Sequence, residues 1–324
     1  MKKHAVTGFF LLALTAFAVS LFVGKYPLVF SELADSASMS HKVFFTLRLP
    51  RTAMAFFSGC ALALSGYVYQ TIFANPLAAP DIIGVSSGAS AGAAAMILLF
   101  GSHTVLTALG AAAGGFLAVG ICIALVKASG SDRISAFLLA GIAVNALSQA
   151  ALMALKLTAD PERQLASIEY WIMGSFSAVT ADEAWPVIPI ILAGIAALVL
   201  LARIVTILSL PAEEARTLGV SVRHMRPVVI LLGTLIVTAV TGITGLISFI
   251  GLLGPHIARL IRRTTDRGTM LLSMLCGASL VLISDCIARS IGTSELPISI
   301  VTSVLGAPYL ILLLIKGGAR HDRA

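Results

Sequence analysis

Arg48 and Arg51 stand three residues apart in the run "RLPR", with His41 and Lys42 just ahead of them. At a helix start that spacing projects two guanidinium groups near one another. Two chemistries follow: anchoring to lipid headgroups, or docking of an acidic partner or substrate, since exposed guanidinium groups pair well with carboxylates. A second charged pair, Asp285 and Arg289, lies four residues apart in an apolar run. Charge inside a membrane helix is costly and is normally paired, so an internal salt bridge is expected there. The third constellation is the connector "SLPAEEARTLGVSVRHMRP" (209–227), with Glu213 and Glu214 near its front. Ala215, Leu218 and Val222 recur at i, i+3 and i+7, which predicts a short amphipathic helix, a turn at Gly219 and a second, basic segment. Such a helix can lie on a lipid surface or fill a groove on a soluble partner.

Other chemistries lack their residues. The six histidines form no HExxH or similar cluster, and Cys60, Cys122, Cys276 and Cys286 lack metal-ligand spacing and read as core. No metal site and no bound cofactor are expected. The pattern GxxxxGK[ST] is absent, so ATP is not held by that motif. Most carboxylates fall in connectors, which argues against a proton relay and hence against the main rival reading, an ion-coupled secondary transporter. A membrane enzyme would need a His, Cys or carboxylate constellation that is not there.

The elements that carry these groups are apolar runs. Hydrophobic residues make up 58% of the 324-residue chain, charged residues 11%, and the mean hydropathy is +0.99. That composition excludes a soluble domain and predicts an all-α membrane protein forming a single transmembrane domain over 1–324. Ten spans are expected, at roughly 5–30, 52–73, 82–100, 104–126, 134–155, 185–208, 227–243, 246–261, 270–288 and 298–315. The eighth is expected to break at Gly254 and Pro255. The connector 156–184 is expected to hold a short helix around Tyr170 and Trp171. The N-terminal run "MKKHAVTGFFLLALTAFAVS" reads as an uncleaved first span, because apolar character continues to Phe30.

With the N-terminus inside, the cytoplasmic side collects Lys2, Lys3, Lys127, Arg133, Arg203, Arg216, Arg223, Arg226, Arg259, Arg262, Arg263, Arg267, Lys316, Arg320 and Arg323. This is most of the 22 basic residues, as the positive-inside rule requires. The net charge of +7 is therefore a topology signal and calls for no nucleic acid. Both termini are then cytoplasmic, and the "RLPR" rim faces outward. "GASAGAAAM" (88–96) and "GAAAGGFLAVG" (110–120) are small-residue surfaces for close helix packing.

The stretch "IFANPLAAPDIIGVSSGAS" (72–90) interrupts two spans with Asn75, two prolines, Asp81 and three serines. Non-helical backbone at membrane depth survives only where protein or a water-filled cavity satisfies it. Locally it reads as a tight turn, with a constriction at the mouth of a pathway as the alternative. Gly66 precedes Pro76 by ten residues and Gly245 precedes Pro255 by ten, a weak hint of an inverted repeat.

In "LRLPRTAMAFFSGCALALSGYVYQTIFANPLAAPDIIGVSSGAS", "LLAGIAVNAL", "YWIMGSFS", "EEARTLGV", "GLISFIGLLGPHIARL", "SDCIAR" and "ELPISIVTSVLGAPYLILLL", in that order, the chain resembles the FecCD family. These are permease subunits of type II ABC importers for iron chelates, haem and cobalamin. The resemblance implies a ten-span permease in a bacterial or archaeal cytoplasmic (inner) membrane. It implies pairing with a second copy or a paralogue, two cytoplasmic ATPase subunits that use ATP, and an extracytoplasmic substrate-binding protein. The cargo it implies is a metal chelate, most often a ferric siderophore. It assigns binding-protein docking to Arg48, Arg51 and Arg289, ATPase coupling to Glu213, Glu214, Ala215, Leu218 and Gly219, and an inner gate to Asn75, Leu77, Ile134 and Ser135. The chain departs from the family's Leu-Gly-Glu at Leu210, Pro211 and Ala212, with its acids shifted to Glu213 and Glu214.

Overall fold

The computed structural model describes residues 2–130, 134–291 and 295–321, and side chains from residue 5 to residue 311 of these. The orienting residues Lys2, Lys3, Arg133, Lys316, Arg320 and Arg323 fall outside the described side chains. Among the described residues all regular structure is helical. The order is α1 (Lys2–Phe22), α2 (Met39–Lys42), α3 (Leu49–Ile72), α4 (Val85–Phe100), α5 (Thr104–Ala128), α6 (Ile134–Thr158), α7 (Ala166–Met173) and α8 (Ala181–Leu200). It continues with α9 (Ala202–Ile207), α10 (Ala212–Thr217), α11 (Val222–Thr244), α12 (Ile250–Arg262), α13 (Arg267–Ser290) and α14 (Ile298–His321).

Each expected span falls on a helix, but not every helix is long enough to cross alone. Among the described residues seven stretches are both long and apolar enough: α1, the continuous rod Met39–Ile72, α5, α6, α8, α11 and α13. The long helices traverse in alternation, so the bundle has a near end, holding Ile72, Ala128, Ile134 and Arg262, and a far end, holding Phe22, Leu49, Thr158 and Ser290. The α7 helix (around Tyr170 and Trp171, as expected) lies at the far end.

The first span stops at Phe22, short of the expected Phe30, with Gly24 at φ +155° just beyond. The reason is Arg48. Its guanidinium donates to the carbonyls of Leu21 (3.2 Å), Phe22 (2.8 Å) and Tyr26. A cation at a helix C-terminus satisfies orphan carbonyls and complements the dipole.

α3 is the axis, with Met54, Leu64, Tyr67, Tyr69 and Ile72 fully buried. The Tyr69 hydroxyl is satisfied by the Ile230 carbonyl at 3.1 Å and Thr234 at 3.2 Å. Small residues set the helix spacing. A Cβ on Gly92 would lie 2.0 Å from the Gly110 carbonyl oxygen, and one on Gly114 would lie 2.1 Å from that of Gly88. The paired glycines, four apart on both α4 and α5, hold those backbones in contact.

Two spans are interrupted near the same depth. After Ile72 the chain turns tightly at Ala74 (φ +45°) and runs back into the bundle. Pro80–Ile83 forms one 3-10 turn against α6, where a Cβ on Gly141 would lie 2.4 Å from the Ile82 carbonyl oxygen. Gly141 is seven residues into α6, so this turn sits roughly 10 Å inside the bundle. The 16 residues of α4 add about 24 Å, and together the two reach across a bilayer core of about 30 Å. In the other, residues 245–249 descend from the far end without helix, Phe249 turns at φ +67°, and α12 covers only the near part. Gly66 and Gly251 touch where the two interrupted regions approach: a Cβ on Gly66 would lie 1.8 Å from the Gly251 carbonyl oxygen. Gly245 packs elsewhere, on Trp171 and Gly174.

The break of the eighth span is thus at 245–249 and not at Gly254–Pro255, through which α12 runs unbroken. Pro255 has no N–H to give the Gly251 carbonyl. Gln70 of α3 supplies the donor from its side-chain amide, 3.4 Å from that oxygen, while its Oε1 accepts from Arg259 at 3.0 Å.

Candidate functional site

The two interrupted spans meet at a cavity of about 270 Å³. Its walls are the start of α4, one face of α6 and α11, and the chain from Leu246 to Leu252. Polar groups converge on it: Asp81, Ser86, Ser90, Asn145, Gln149 and Thr241. The Ser86 hydroxyl donates to Asp81 Oδ1. Ser87 and Ser90 spend their hydroxyls on backbone carbonyls one turn back, at 3.2 and 2.9 Å. Tertiary placement creates this site: the sequence set Asp81 in a turn, and only its seat against α6 carries it to membrane depth. Asn145 and Gln149 carried a usable signal as polar residues inside an apolar run.

The expected gate residues lie at the near end, below the cavity. Asn75 Oδ1 accepts the Leu77 N–H at 2.9 Å, and the Asn75 carbonyl accepts from Ala78 at 3.1 Å, closing a side-chain-braced turn. Leu77 is left exposed. Ile134 and Ser135 open α6, Ile134 against the core and Ser135 exposed. Phe73 and Phe137, with ring centroids 5.9 Å apart, bring the two segments to one place.

At the far end Arg48, Arg51 and Arg289 gather, but Arg48 and Arg51 do not form the exposed pair that their spacing implied. Arg48 is 6% and Arg289 4% exposed. Arg51 turns away from Arg48 and pairs with Asp285 and Glu295, each at 2.8 Å. Arg289 pairs with the other Asp285 oxygen at 3.0 Å and donates to Ser20 and to the Val23 carbonyl. The expected Asp285–Arg289 bridge is present, and Asp285 is shared. Burial has a simple cause: the end of α1 and the acids of α13 and the chain beyond it offer nearer acceptors than solvent.

The connector also differs from its pattern. α10 is present, yet only Ala215 and Val222 turn inward, while Leu218 is 57% exposed. Gly219, at φ +80°, reverses the chain after one and a half turns, with Val220 N–H on the Ala215 carbonyl at 3.0 Å. The helical period ends before it reaches Leu218. Glu213, Glu214 and Leu218 therefore stand clear of the bundle at its near end, with Gly219 making the turn that presents them.

A multi-pass helical bundle whose interrupted spans meet at a polar cavity has the architecture of a membrane transporter. The family model described as the FecCD transport family matches residues 11–316, and the chain belongs to that family. The hemin transport system permease protein HmuU of Yersinia pestis is 35% identical, over 98% of this chain and 97% of its own length. The molybdate import system permease protein MolB of Haemophilus influenzae is 32% identical, over 94% and 93%. A solved structure of a metal-chelate type ABC transporter in an inward-facing conformation superposes with a TM-score of 0.87 at 31% identity, covering 98% of this chain and 100% of that one. The chain is an ABC-importer permease of the metal-chelate, haem, cobalamin and molybdate group.

Proposed function

We propose that this permease moves a metal chelate, of the ferric siderophore kind, into the cytoplasm by alternating access. One observation carries the reading: a polar cavity where two broken spans meet, in a chain that lacks the GxxxxGK[ST] nucleotide motif. Energy then enters from outside the chain. The near end is the cytoplasmic one, both termini lie there, and the membrane is a prokaryotic inner membrane. Two ATPase subunits take up α10 with Glu213, Glu214 and Leu218, and a second permease copy or paralogue completes the pathway. Asn75, Leu77, Ile134 and Ser135 close it on the cytoplasmic side.

An extracytoplasmic binding protein docks at the far end. Arg51, the most open of the three arginines at 12% side-chain exposure, is the one that can trade an internal acid for one on the partner. Arg48 and Arg289 hold that surface in shape.

The exposed Leu218 supplies the test. In the assembled transporter L218D should leave the permease folded and ATP hydrolysed, while ATP-driven uptake falls by at least tenfold, about 1.4 kcal/mol of coupling. Normal coupled turnover in that variant would remove the connector from the mechanism. Failure of any ATPase subunit to copurify with the native chain would favour an ion-coupled carrier.

A further inference from the structure

The acids of this bundle differ in whether a cation reaches them, and among the described residues Asp285 is the one that is buried. Asp285 lies between two guanidinium groups, and Asp266 accepts from Arg262 at 2.8 Å. Asp81 opens on the cavity, and among the described residues no ion pair reaches it. Its hydrogen-bond partner is the neutral Ser86 hydroxyl. A carboxylate at this depth is expensive unless it faces water or a ligand.

Two further groups lie unclaimed beside it. Asn145 and Gln149 are one turn apart on α6, line the same cavity, and make no side-chain hydrogen bond among the described residues. Each amide offers both a donor and an acceptor. Every other hydroxyl at the start of α4 is already used by the fold. The arrangement therefore keeps one negative charge and two amides free at the level where cargo must pass.

We propose that Asp81, Asn145 and Gln149 form a charge-selective cargo subsite. It takes a neutral or cationic arm bearing hydroxamate or amide groups, and it repels chelates or oxyanions carrying several negative charges. The volume of about 270 Å³ suits one arm of a chelate and not the whole. The carboxylate accepts N–H and O–H donors, and the amides answer carbonyl and N–O acceptors. A fixed charge within about 10 Å of a charged cargo, in a medium of intermediate polarity, is enough for roughly tenfold discrimination. This inference rests on the permease reading above and adds a cargo class to it.

The test uses the whole transporter, with its ATPase and binding protein, in proteoliposomes. The probes are a neutral ferric trihydroxamate and an anionic ferric tricatecholate, and the readout is the ratio of their ATP-dependent initial uptake rates. The native ratio should favour the trihydroxamate. D81N keeps the oxygen that accepts from Ser86 but removes the charge, and it should lower the ratio roughly tenfold, whereas D81E holds it. Q149K, which sets a cation beside Asp81 from a position open to the cavity, should reproduce the D81N result without touching the turn. An unchanged ratio in both D81N and Q149K, with uptake intact, overturns the subsite and leaves the permease reading standing. Preference of the native transporter for the tricatecholate also overturns it. ATP-dependent uptake of neither probe takes down the siderophore reading and the subsite together.

Discussion

Arg51 and Asp285, 234 residues apart in the chain, meet through two nitrogens, with Nη2 at 2.8 Å and Nε at 3.1 Å from the same carboxylate oxygen. Arg289 takes the other oxygen. One carboxylate thus joins α3 to α13, and through Arg289 both are tied to the end of α1. Side-chain exposure is 12% for Arg51 and 1% for Asp285, so the pair is screened little by solvent.

Removing the shared charge leaves two guanidinium groups facing each other with only Glu295 nearby. Breaking a buried pair from one side costs about 3–5 kcal/mol. D285N should therefore lower the apparent unfolding temperature of the detergent-solubilised permease by several degrees, and R51K by less, since it keeps the charge and loses the fork. A native-like melt for D285N would mean that the cluster is not holding the far end.

Gln70 and Pro255 are coupled through the Gly251 carbonyl. Q70L removes the donor that stands in for the absent proline N–H and strands one Arg259 donor as well. The expected cost is about 1–3 kcal/mol. P255A restores the backbone N–H, so the double variant should lose less than Q70L loses alone. Additive losses in that double-mutant cycle would deny the substitution of one donor for the other.

Asp266 supplies a pH dependence. Burial pushes its carboxyl up, but hydrogen bonds from the Arg262 guanidinium and from the Thr269 N–H and hydroxyl outweigh it and leave the group lowered to about 2. The unfolded value is near 3.9. Its contribution is complete above that value and disappears as pH falls through about 2. D266N keeps a good N-cap for α13 and removes only the charge. It should be less stable than the native chain at pH 6, with the gap closing as pH falls toward 2. A gap that does not depend on pH would assign the effect to the cap.

The long spans were legible because about twenty apolar residues in a row admit one solution in lipid. The paired glycines of α4 and α5 were legible for the same reason. What was not legible depends on partners distant in sequence. Pro255 looked like the break in the eighth span, and the donor that lets α12 continue past it sits on α3. Arg48 and Arg51 looked exposed because their acceptors lie in α1, in α13 and just beyond it. Leu218 completed an apolar pattern on paper, but the helix ends at Thr217 and the chain turns at Gly219 just beyond it. Asp81 was visible only as part of a polar interruption, since its depth is set by Gly141 on another helix.

The central claim is that this chain is a gated conduit whose energy comes from other polypeptides. Accumulation of labelled ferric siderophore in proteoliposomes tests it most directly, with the permease alone compared against the permease with its ATPase, its binding protein and ATP. Uphill accumulation only in the complete system, abolished when ATP is withheld, is the expected result. Concentrative uptake by the isolated chain, driven by an ion gradient, would contradict the account.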